Sequence, residues 1–329
     1  MLWNLCSYLF CLFREPFTYR PPATALPLSA VLPASQIWQW KPHGTEGTNG
    51  TTYNIFYKAY LQPGKRPNLV LIHDFGASSF YWRDNIPTLS KSYNVFVFDL
   101  LGFGGSDKPD IEYTPEIWRD QTADFVKKVD LDTGGQPIIL VGHGLGGFIS
   151  IYSAATKPHP RISSIVLLNP FGIFRGKELT ILYSFFGWLL YPPFISGIYH
   201  YYRTNITDVL RSLYSNHPER VDESLVNSVG ISLNEHIICK MVTKNYEHTH
   251  AYMEDLLAKL HIPIYVLIGK KDPWLQTAIY EDILGNYQQA FGKQLETAGH
   301  CPHDETPDEV NQYILSFLTL VEDTSTTHL

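Results

Sequence analysis

Short apolar runs rich in valine and isoleucine recur along the chain from about Ile37 onward. Before these runs, Tyr53–Tyr60 alternates apolar and polar positions as a half-buried strand does. Five more have the length and composition of strands that are buried on both faces of a parallel sheet: Asn68–His73, Val95–Asp99, Ile138–Gly142, Ile162–Leu168 and Ile264–Gly269. Stretches with helical spacing, such as Thr114–Val129 and Gly146–Thr156, lie between them. This alternation predicts an α/β fold with a doubly wound, mostly parallel sheet.

A long insertion separates the last two of these runs. It covers residues 171–263, which is too long for a simple connection. Its segment Ile181–Arg203 holds nine aromatic residues and is apolar nearly all round, whereas an ordinary surface helix has one apolar face. Some of these rings pack the core of the insertion itself, and we expect the others to line a pocket or to meet a membrane.

The first 36 residues do not continue the pattern. Their apolar stretch, residues 2–13, is shorter than the roughly 20 residues that a spanning helix needs, and no basic segment or cleavage motif marks it as a secretory signal. A proline-rich linker from Pro16 to Pro33 follows. A packed or disordered tail, an interfacial membrane anchor and a targeting segment all remain open. The predicted organisation is an N-terminal tail (1–36), a core (37–170 and 264–320), the insertion (171–263) and a C-terminal tail (321–329).

Composition narrows the choice of partners. The net charge is −7, with 25 basic and 32 acidic residues, so the chain has no basic field that would attract nucleic acid. Aromatic residues make up 14% and charged residues only 17%, against a usual charged share of roughly 25%. This balance favours a hydrophobic small-molecule ligand. The four cysteines (Cys6, Cys11, Cys239 and Cys301) are few and scattered and include no CxxC pair, so we expect no disulfide framework and no structural zinc site. We also expect no other metal site and no cofactor.

Motifs gather where the predicted strands end, which is where sheets of this kind carry their working residues. They are His73-Asp74-Phe75-Gly76, Asp99 to Pro109 (DLLGFGGSDKP), Gly142-His143-Gly144-Leu145-Gly146, Asp272-Pro273-Trp274, and Gly299 to Asn311 (GHCPHDETPDEVN). In this order and spacing they resemble the α/β-hydrolase family over Ile37 to Leu320. The second and last segments are most similar to the branch that contains pheophytinase and chlorophyll dephytylase.

The resemblance implies a site of the serine-esterase type, with Asp272 as the acid and His300 as the base. The backbone amides of Phe75 and Leu145 would stabilise the oxyanion. Taken singly, Asp272 is also compatible with a helix cap and His300 with an ordinary loop histidine. Their order and spacing favour the catalytic interpretation.

The resemblance also implies that the insertion is a helical cap, placed after the sixth strand and over the site. The candidate walls of a substrate pocket are Phe103, Phe148, Trp274, Phe185 and Trp188. The implied compartment is the cytoplasm or a plastid, at the thylakoid surface.

The nucleophile that the family requires is missing. Gly144 stands at the serine position of the expected G-x-S-x-G motif, and neither cysteine nor aspartate replaces it there. Glycine tolerates the positive φ of this turn, so we expect the fold to persist, while loss of such a serine lowers kcat by roughly 10⁶-fold. A natural non-hydrolase, an engineered inactive variant and nucleophile-free chemistry by His300 and Asp272 remain open.

Two aspartates at strand ends add to this picture. Asp74 stands where the family usually has glycine, and a side chain there would crowd the oxyanion loop or hydrogen-bond its backbone. Asp99 is interpreted as an organiser of its own loop.

Three functional hypotheses follow. The first is a carboxylic-ester hydrolase scaffold for a large hydrophobic ester, chlorophyll-like, pheophytin-like or lipid, that Gly144 leaves inactive or crippled. The second is a binder of an apolar ligand or partner without turnover. The third is a lyase or oxygenase that uses the His300–Asp272 dyad without a nucleophile. Peripheral membrane contact through residues 2–13 and the cap is compatible with each of them.

Overall fold

One eight-stranded sheet forms the centre of the described part of the chain. The computed structural model describes residues 35–42, 50–171, 200–201, 203–232, 253–273 and 277–326. The strands are β1 (Gln36–Trp40), β2 (Tyr53–Tyr60), β3 (Asn68–Ile72), β4 (Asn94–Phe98), β5 (Ile138–His143), β6 (Ile162–Leu168), β7 (Ile264–Gly269) and β8 (Ala290–Leu295). The helices are α1 (Ile86–Leu89), α2 (Pro115–Thr133), α3 (Leu145–Thr156), α4 (Ile206–Leu213), α5 (Glu223–Ser232), α6 (Met253–Leu257), α7 (Thr277–Asn286), α8 (Pro302–Glu305) and α9 (Pro307–Thr326).

The strand order is β1-β2-β4-β3-β5-β6-β7-β8. The pairs β1–β2 and β2–β4 are antiparallel, and all the other pairs are parallel. The predicted doubly wound, mostly parallel sheet is therefore confirmed. Because β3 pairs with β4 on one side and with β5 on the other, the order reverses at β3. The loops after β3 and β5 thus meet at a switch point, where sheets of this kind bind ligands.

Helices cover both faces of the sheet. On one face the rings of Phe98 and Phe125 lie 4.4 Å apart and Trp118 is buried beside them. On the other face Trp82 is buried, and Phe317 of α9 stacks on Tyr265 at 4.9 Å. Each fully buried side chain of this size contributes about 1.5–3 kcal/mol relative to an exposed one. The strands between these layers are apolar on both faces, which is why the sequence shows them as continuous runs.

The insertion after β6 is helical in its described residues, as the fold prediction required. It contains α4, α5, α6 and a 3-10 turn at Pro218–Arg220. Arg83 of the core forms ion pairs with Asp222 of the insertion at 2.6 Å and with the buried Asp304 at 2.9 Å. These contacts fix the described part of the insertion beside the loop that carries His300. The boundaries of the four predicted segments stay a prediction.

Several expectations fall outside the described residues. Residues 2–13 and nearly all of Ile181–Arg203 belong to this group. Within the described ranges, none of the helices has the length and apolarity needed to cross a bilayer.

Asp99 holds the loop after β4, as predicted. The carboxylate is buried and accepts hydrogen bonds from the backbone amides of Ser79 and Gly105, both at 2.7 Å. The two amides belong to different loops at the carboxyl edge of the sheet. One buried carboxylate therefore joins the segment after β3 to the segment after β4.

Replacing Asp99 by alanine should lower the free energy of unfolding by about 2–4 kcal/mol, because the buried amide of Ser79 and the partly buried amide of Gly105 lose their acceptor. Urea unfolding at neutral pH measures this change. Asp132→Ala is the control: its partner is Lys128 on the exposed face of α2, and such pairs contribute about 0.5 kcal/mol. Equal losses in the two variants would contradict the role given to Asp99.

Candidate functional site

The carboxyl ends of β3, β5, β6 and β7 bring the candidate residues together. Asp74 follows β3, Gly144 follows β5, Asn169 follows β6 and Asp272 follows β7. His300 joins them from the loop before α8, and its backbone N–H donates to the carbonyl of Leu213 in the insertion at 3.0 Å. Core and insertion therefore both position the histidine.

Gly144 makes the sharp turn from β5 into α3. Its φ is 53° and its ψ is −115°, a conformation that glycine adopts without a steric penalty. Gly146, in the first turn of α3, packs closely against the end of β3. A Cβ on this glycine would collide with the carbonyl oxygens of Ile72 and His73. The turn thus has the shape expected from the motif and has no side chain at its tip.

Asp272 and His300, the predicted acid and base, are in direct contact. Nδ1 of His300 lies 2.8 Å from Oδ2 of Asp272. Asn169 supports this pair by donating from its side-chain amide to the same carboxylate oxygen at 2.7 Å and to the carbonyl of Gly299 at 3.0 Å. Its own side-chain oxygen accepts from the amide of Gly269 at 2.9 Å. Asn169 has a positive φ of 41°.

Sequence reasoning did not assign a role to Asn169. The available signal was its position, since a polar residue directly after a buried strand and before a proline lies at the working edge of the sheet.

The carboxylate of Asp74 occupies the space beside the Gly144 turn. Its Oδ1 accepts from the backbone amide of Leu145 at 2.5 Å, and its Oδ2 lies 3.2 Å from Nε2 of His300. A Cβ placed on Gly144 would overlap all three atoms of this carboxylate, well inside the 3.0 Å that real Cβ contacts respect. The amide that the sequence assigned to an oxyanion therefore binds a carboxylate of the chain itself. The Asp74 side chain does hydrogen-bond a backbone amide, but this amide belongs to the turn after β5 and not, as predicted, to the loop after β3.

This arrangement determines the protonation states of Asp74 and His300. Burial alone would raise the pKa of Asp74, but the hydrogen bonds from His300 and from the Leu145 amide lower it to about 2. Burial alone would lower the pKa of His300, but the hydrogen bonds to Asp272 and Asp74 and the charges of both carboxylates raise it to about 10. At neutral pH, His300 is thus an imidazolium that donates to one carboxylate from each nitrogen. A general base must be unprotonated, so this histidine cannot serve as one while Asp74 faces it.

His143, the residue before Gly144, lies beneath the site. Its Nε2 is 2.8 Å from the carbonyl oxygen of His300, and burial lowers its pKa to about 4, so the ring is neutral and Nε2 donates. One ring nitrogen each of His143 and His300 and a carboxylate oxygen of Asp74 lie within 4.8 Å of one another. This set does not fit a metal in the state described, because His300 carries a proton on each nitrogen and a ligand must offer a lone pair.

Glu305 holds the histidine loop from below. Its Oε1 accepts from the amides of Gly299 and Cys301, the two neighbours of His300 along the chain, at 2.9 and 3.1 Å. Burial raises the pKa of this carboxyl to about 7, against the opposing effect of the two amides. The residue lies in the segment that carried the family resemblance, but its supporting role was visible only in the structure.

The predicted pocket walls are only partly described. Phe75 is 37% exposed and its ring meets that of Phe103 at 5.4 Å. Phe103 is wholly buried, and Phe148 is buried with its ring 5.7 Å from that of Tyr152. Trp274, Phe185 and Trp188 lie outside the described residues. The pocket role of these five aromatics and the oxyanion role of the Phe75 amide stay predictions.

Comparison with known proteins agrees with the resemblance. Residues 69–313 match the Alpha/beta hydrolase family. The chain is similar to the chloroplastic pheophytinase of Arabidopsis thaliana, at 25% identity over 78% of this chain and 62% of that protein. It is also similar to the uncharacterized hydrolase YugF of Bacillus subtilis, at 25% identity over 80% of this chain and 94% of that one.

Among solved structures, a thermophilic esterase from Thermogutta terrifontis has a TM-score of 0.68 at 20% identity. The match covers 87% of this chain and 99% of that one. At this identity the likeness concerns the fold alone.

Replacing Asp74 by asparagine should lower the pKa of His300 by about 1–3 pH units, because one of the two charges that hold its proton is removed. A ¹⁵N NMR titration of the ring nitrogens measures this pKa. Asp107→Asn, a carboxylate that accepts from the exposed Asn54 amide, should leave it unchanged. A His300 that titrates near 6.5 in the unaltered chain would overturn the assignment of an imidazolium.

Proposed function

Because the chain belongs to the alpha/beta hydrolase family, we propose that it is a hydrolase-type scaffold for a large apolar ligand in which the serine route of ester cleavage is closed. The observation that carries this proposal is the fit between Gly144 and the carboxylate of Asp74. The two departures from the family pattern fit each other. A serine Cβ at residue 144 would collide with the Asp74 carboxylate, and a glycine at residue 74 would leave a gap beside Gly144.

Three requirements of serine-type ester cleavage are unmet at this site. There is no hydroxyl at the tip of the turn, because residue 144 is glycine. The Leu145 amide, which would have to receive the oxyanion, already binds Asp74. His300 carries the proton that it would have to accept from the hydroxyl. Each change alone would impair the reaction, and together they remove the nucleophile, its activation and part of the stabilisation of the transition state.

The ligand side of the proposal rests on aromatic content and on relatives. Nine aromatics in Ile181–Arg203 and the half-exposed Phe75 beside Asp74 favour an apolar molecule with a large surface. One relative, at 25% identity, is named a pheophytinase. A chlorophyll-like, pheophytin-like or lipid ester is therefore the class of ligand that we propose, and binding without ester cleavage is the expected behaviour of the unaltered chain.

The site argues against the hypothesis that His300 and Asp272 act alone as a base. Such chemistry needs a histidine that accepts a proton near neutral pH. The pKa of His300 is raised to about 10 by its two carboxylate partners, so the unprotonated form is scarce.

A double substitution, Asp74→Gly with Gly144→Ser, should create esterase activity on medium-chain and phytyl esters. We expect kcat/KM at least about 10²-fold above that of the unaltered chain, a conservative part of the roughly 10⁶ that a serine nucleophile contributes. Gly144→Ser alone should stay near background, because the new Cβ meets the Asp74 carboxylate. Hydrolysis of p-nitrophenyl octanoate measures the difference.

The matched control for this pair is Asp74→Gly alone, which empties the space without supplying a hydroxyl. If Gly144→Ser alone is as active as the double variant, the interlock between the two residues is wrong. If no ester is cleaved by any variant, the scaffold proposal fails.

Binding of pheophytin a should be saturable at one molecule per chain, and Phe75→Ala should weaken it by roughly tenfold through loss of apolar contact. Quenching of tryptophan fluorescence in detergent micelles measures the affinity. Phe291→Ala is the control, since this exposed aromatic lies at the opposite end of the sheet, at the start of β8. Absence of saturable binding by pheophytin a and by phytyl esters would contradict the ligand class.

A further inference from the structure

The turn after β5 presents a hydrogen-bond acceptor at a place where ester cleavage needs donors. The backbone amide of Leu145 is directed at Oδ1 of Asp74 at 2.5 Å, and Nε2 of His300 faces Oδ2 of the same carboxylate at 3.2 Å. Two groups that could donate to an ester carbonyl are thus already used within the chain. An incoming molecule meets the carboxylate instead.

The Asp74 carboxylate can accept more hydrogen bonds than these two. An ionised carboxyl has about four lone-pair directions, and the pKa of Asp74, lowered to about 2, keeps it ionised at neutral pH. Its side chain keeps 15% of its surface exposed, whereas the side chain of Asp272, on the other side of the imidazole, is fully covered. Of these two carboxylates, Asp74 is therefore the one that a ligand can reach.

Two exposed phenylalanines belong to the segments that meet at this turn. Phe75 follows Asp74 directly and is 37% exposed. Phe171 is 54% exposed, and its backbone amide donates to the carbonyl of Gly144 at 3.0 Å. One charged acceptor with apolar rings nearby suits an amphiphile, whose polar head is oriented by the acceptor while its body lies on apolar surface.

The charges around the turn select the head group. Asp74 and Asp272 are negative and His300 is positive, so the three together leave one negative charge. A carboxylate head would be repelled by this charge. An ester carbonyl only accepts hydrogen bonds, so its oxygen would face the lone pairs of Asp74. A hydroxyl or an ammonium group has the proton that the carboxylate can accept.

We propose that this turn binds the hydrogen-bond-donating head of an amphiphile, a hydroxyl or an ammonium group, on the Asp74 carboxylate. The apolar body of this ligand rests on the proposed function; the head rests on Asp74, Leu145 and His300 alone. Where the ligand also contains an ester, the ester lies away from the turn. No covalent bond forms or breaks, and the ion pair between Asp74 and His300 persists in the complex.

The contacts of Asp74 within the chain prepare it for this role. Because Leu145 and His300 each hold one of its oxygens, the side chain loses little freedom when a head group binds, and preorganisation of this kind strengthens binding. His300 balances most of the charge that a neutral hydroxyl would otherwise meet alone. The remaining negative charge of the cluster favours an ammonium head.

Four probes with ten-carbon chains test the head group on the full-length protein: 1-decanol, decylamine, methyl decanoate and decanoate. Equilibrium dialysis near neutral pH measures each Kd. We expect 1-decanol and decylamine to bind at least about tenfold more tightly than methyl decanoate, because a hydrogen bond to a charged acceptor is worth that much. Decanoate should bind most weakly. The tighter of the first two identifies the head as a hydroxyl or an ammonium group.

Two variants connect this preference to Asp74. Asp74→Asn keeps the shape of the side chain but removes its charge, so the preference for 1-decanol over methyl decanoate should fall to about twofold or less. The matched control Asp132→Asn, on the exposed face of α2, should keep it. In His300→Gln the cation beside Asp74 is gone, and decylamine should gain roughly tenfold on 1-decanol. The NMR signal of the Leu145 amide should shift when 1-decanol binds to the unaltered chain.

Three results would overturn the inference. The first is a Kd of methyl decanoate equal to or below those of 1-decanol and decylamine, and the second is a donor preference that survives in Asp74→Asn. The third is no saturable binding of either donor probe. If pheophytin a or methyl decanoate nevertheless binds saturably, only the head-group assignment fails; if none of these molecules binds, the proposed ligand class fails as well.

Discussion

The contact between the Asp74 carboxylate and the His300 imidazolium governs the chemistry of this site. It is possible only because residue 144 has no side chain, since any Cβ there would occupy the same space. The Asp74 carboxylate also accepts the hydrogen bond of the Leu145 amide, and it keeps a proton on His300. The proposal that the serine route of ester cleavage is closed therefore depends on this one ion pair.

The surrounding fold keeps this pair in place. Asp272 and Asn169 hold the far side of the imidazole, and Glu305 binds the backbone on both sides of His300. An isolated charge in such surroundings would be costly, so the paired, hydrogen-bonded arrangement is what makes the burial tolerable. The insertion contributes through Leu213, whose carbonyl accepts from the His300 amide. A substitution in the insertion can therefore shift His300 even if the substituted residue contacts no ligand.

The sequence predicted the central sheet well, because parallel strands buried on both faces appear as continuous apolar runs. It missed the edge strands β1 and β8, whose exposed and polar positions break that pattern, as in Gln36–Trp40 and Ala290–Leu295. The order and spacing of the motifs predicted the pairing of Asp272 with His300. The position of the Asp74 side chain could not be predicted from the sequence, because it depends on how two loops, one after β3 and one after β5, meet across the sheet. For the same reason the absence of serine was visible in the sequence, whereas the carboxylate in its place was not.

Neutron diffraction from crystals of the unaltered protein, exchanged into D₂O near neutral pH, tests the central claim most directly. We expect deuterium on both Nδ1 and Nε2 of His300, with the Asp74 carboxylate between Nε2 and the Leu145 amide. A bare Nε2, or an Asp74 side chain turned to solvent with water beside Gly144, would contradict the account.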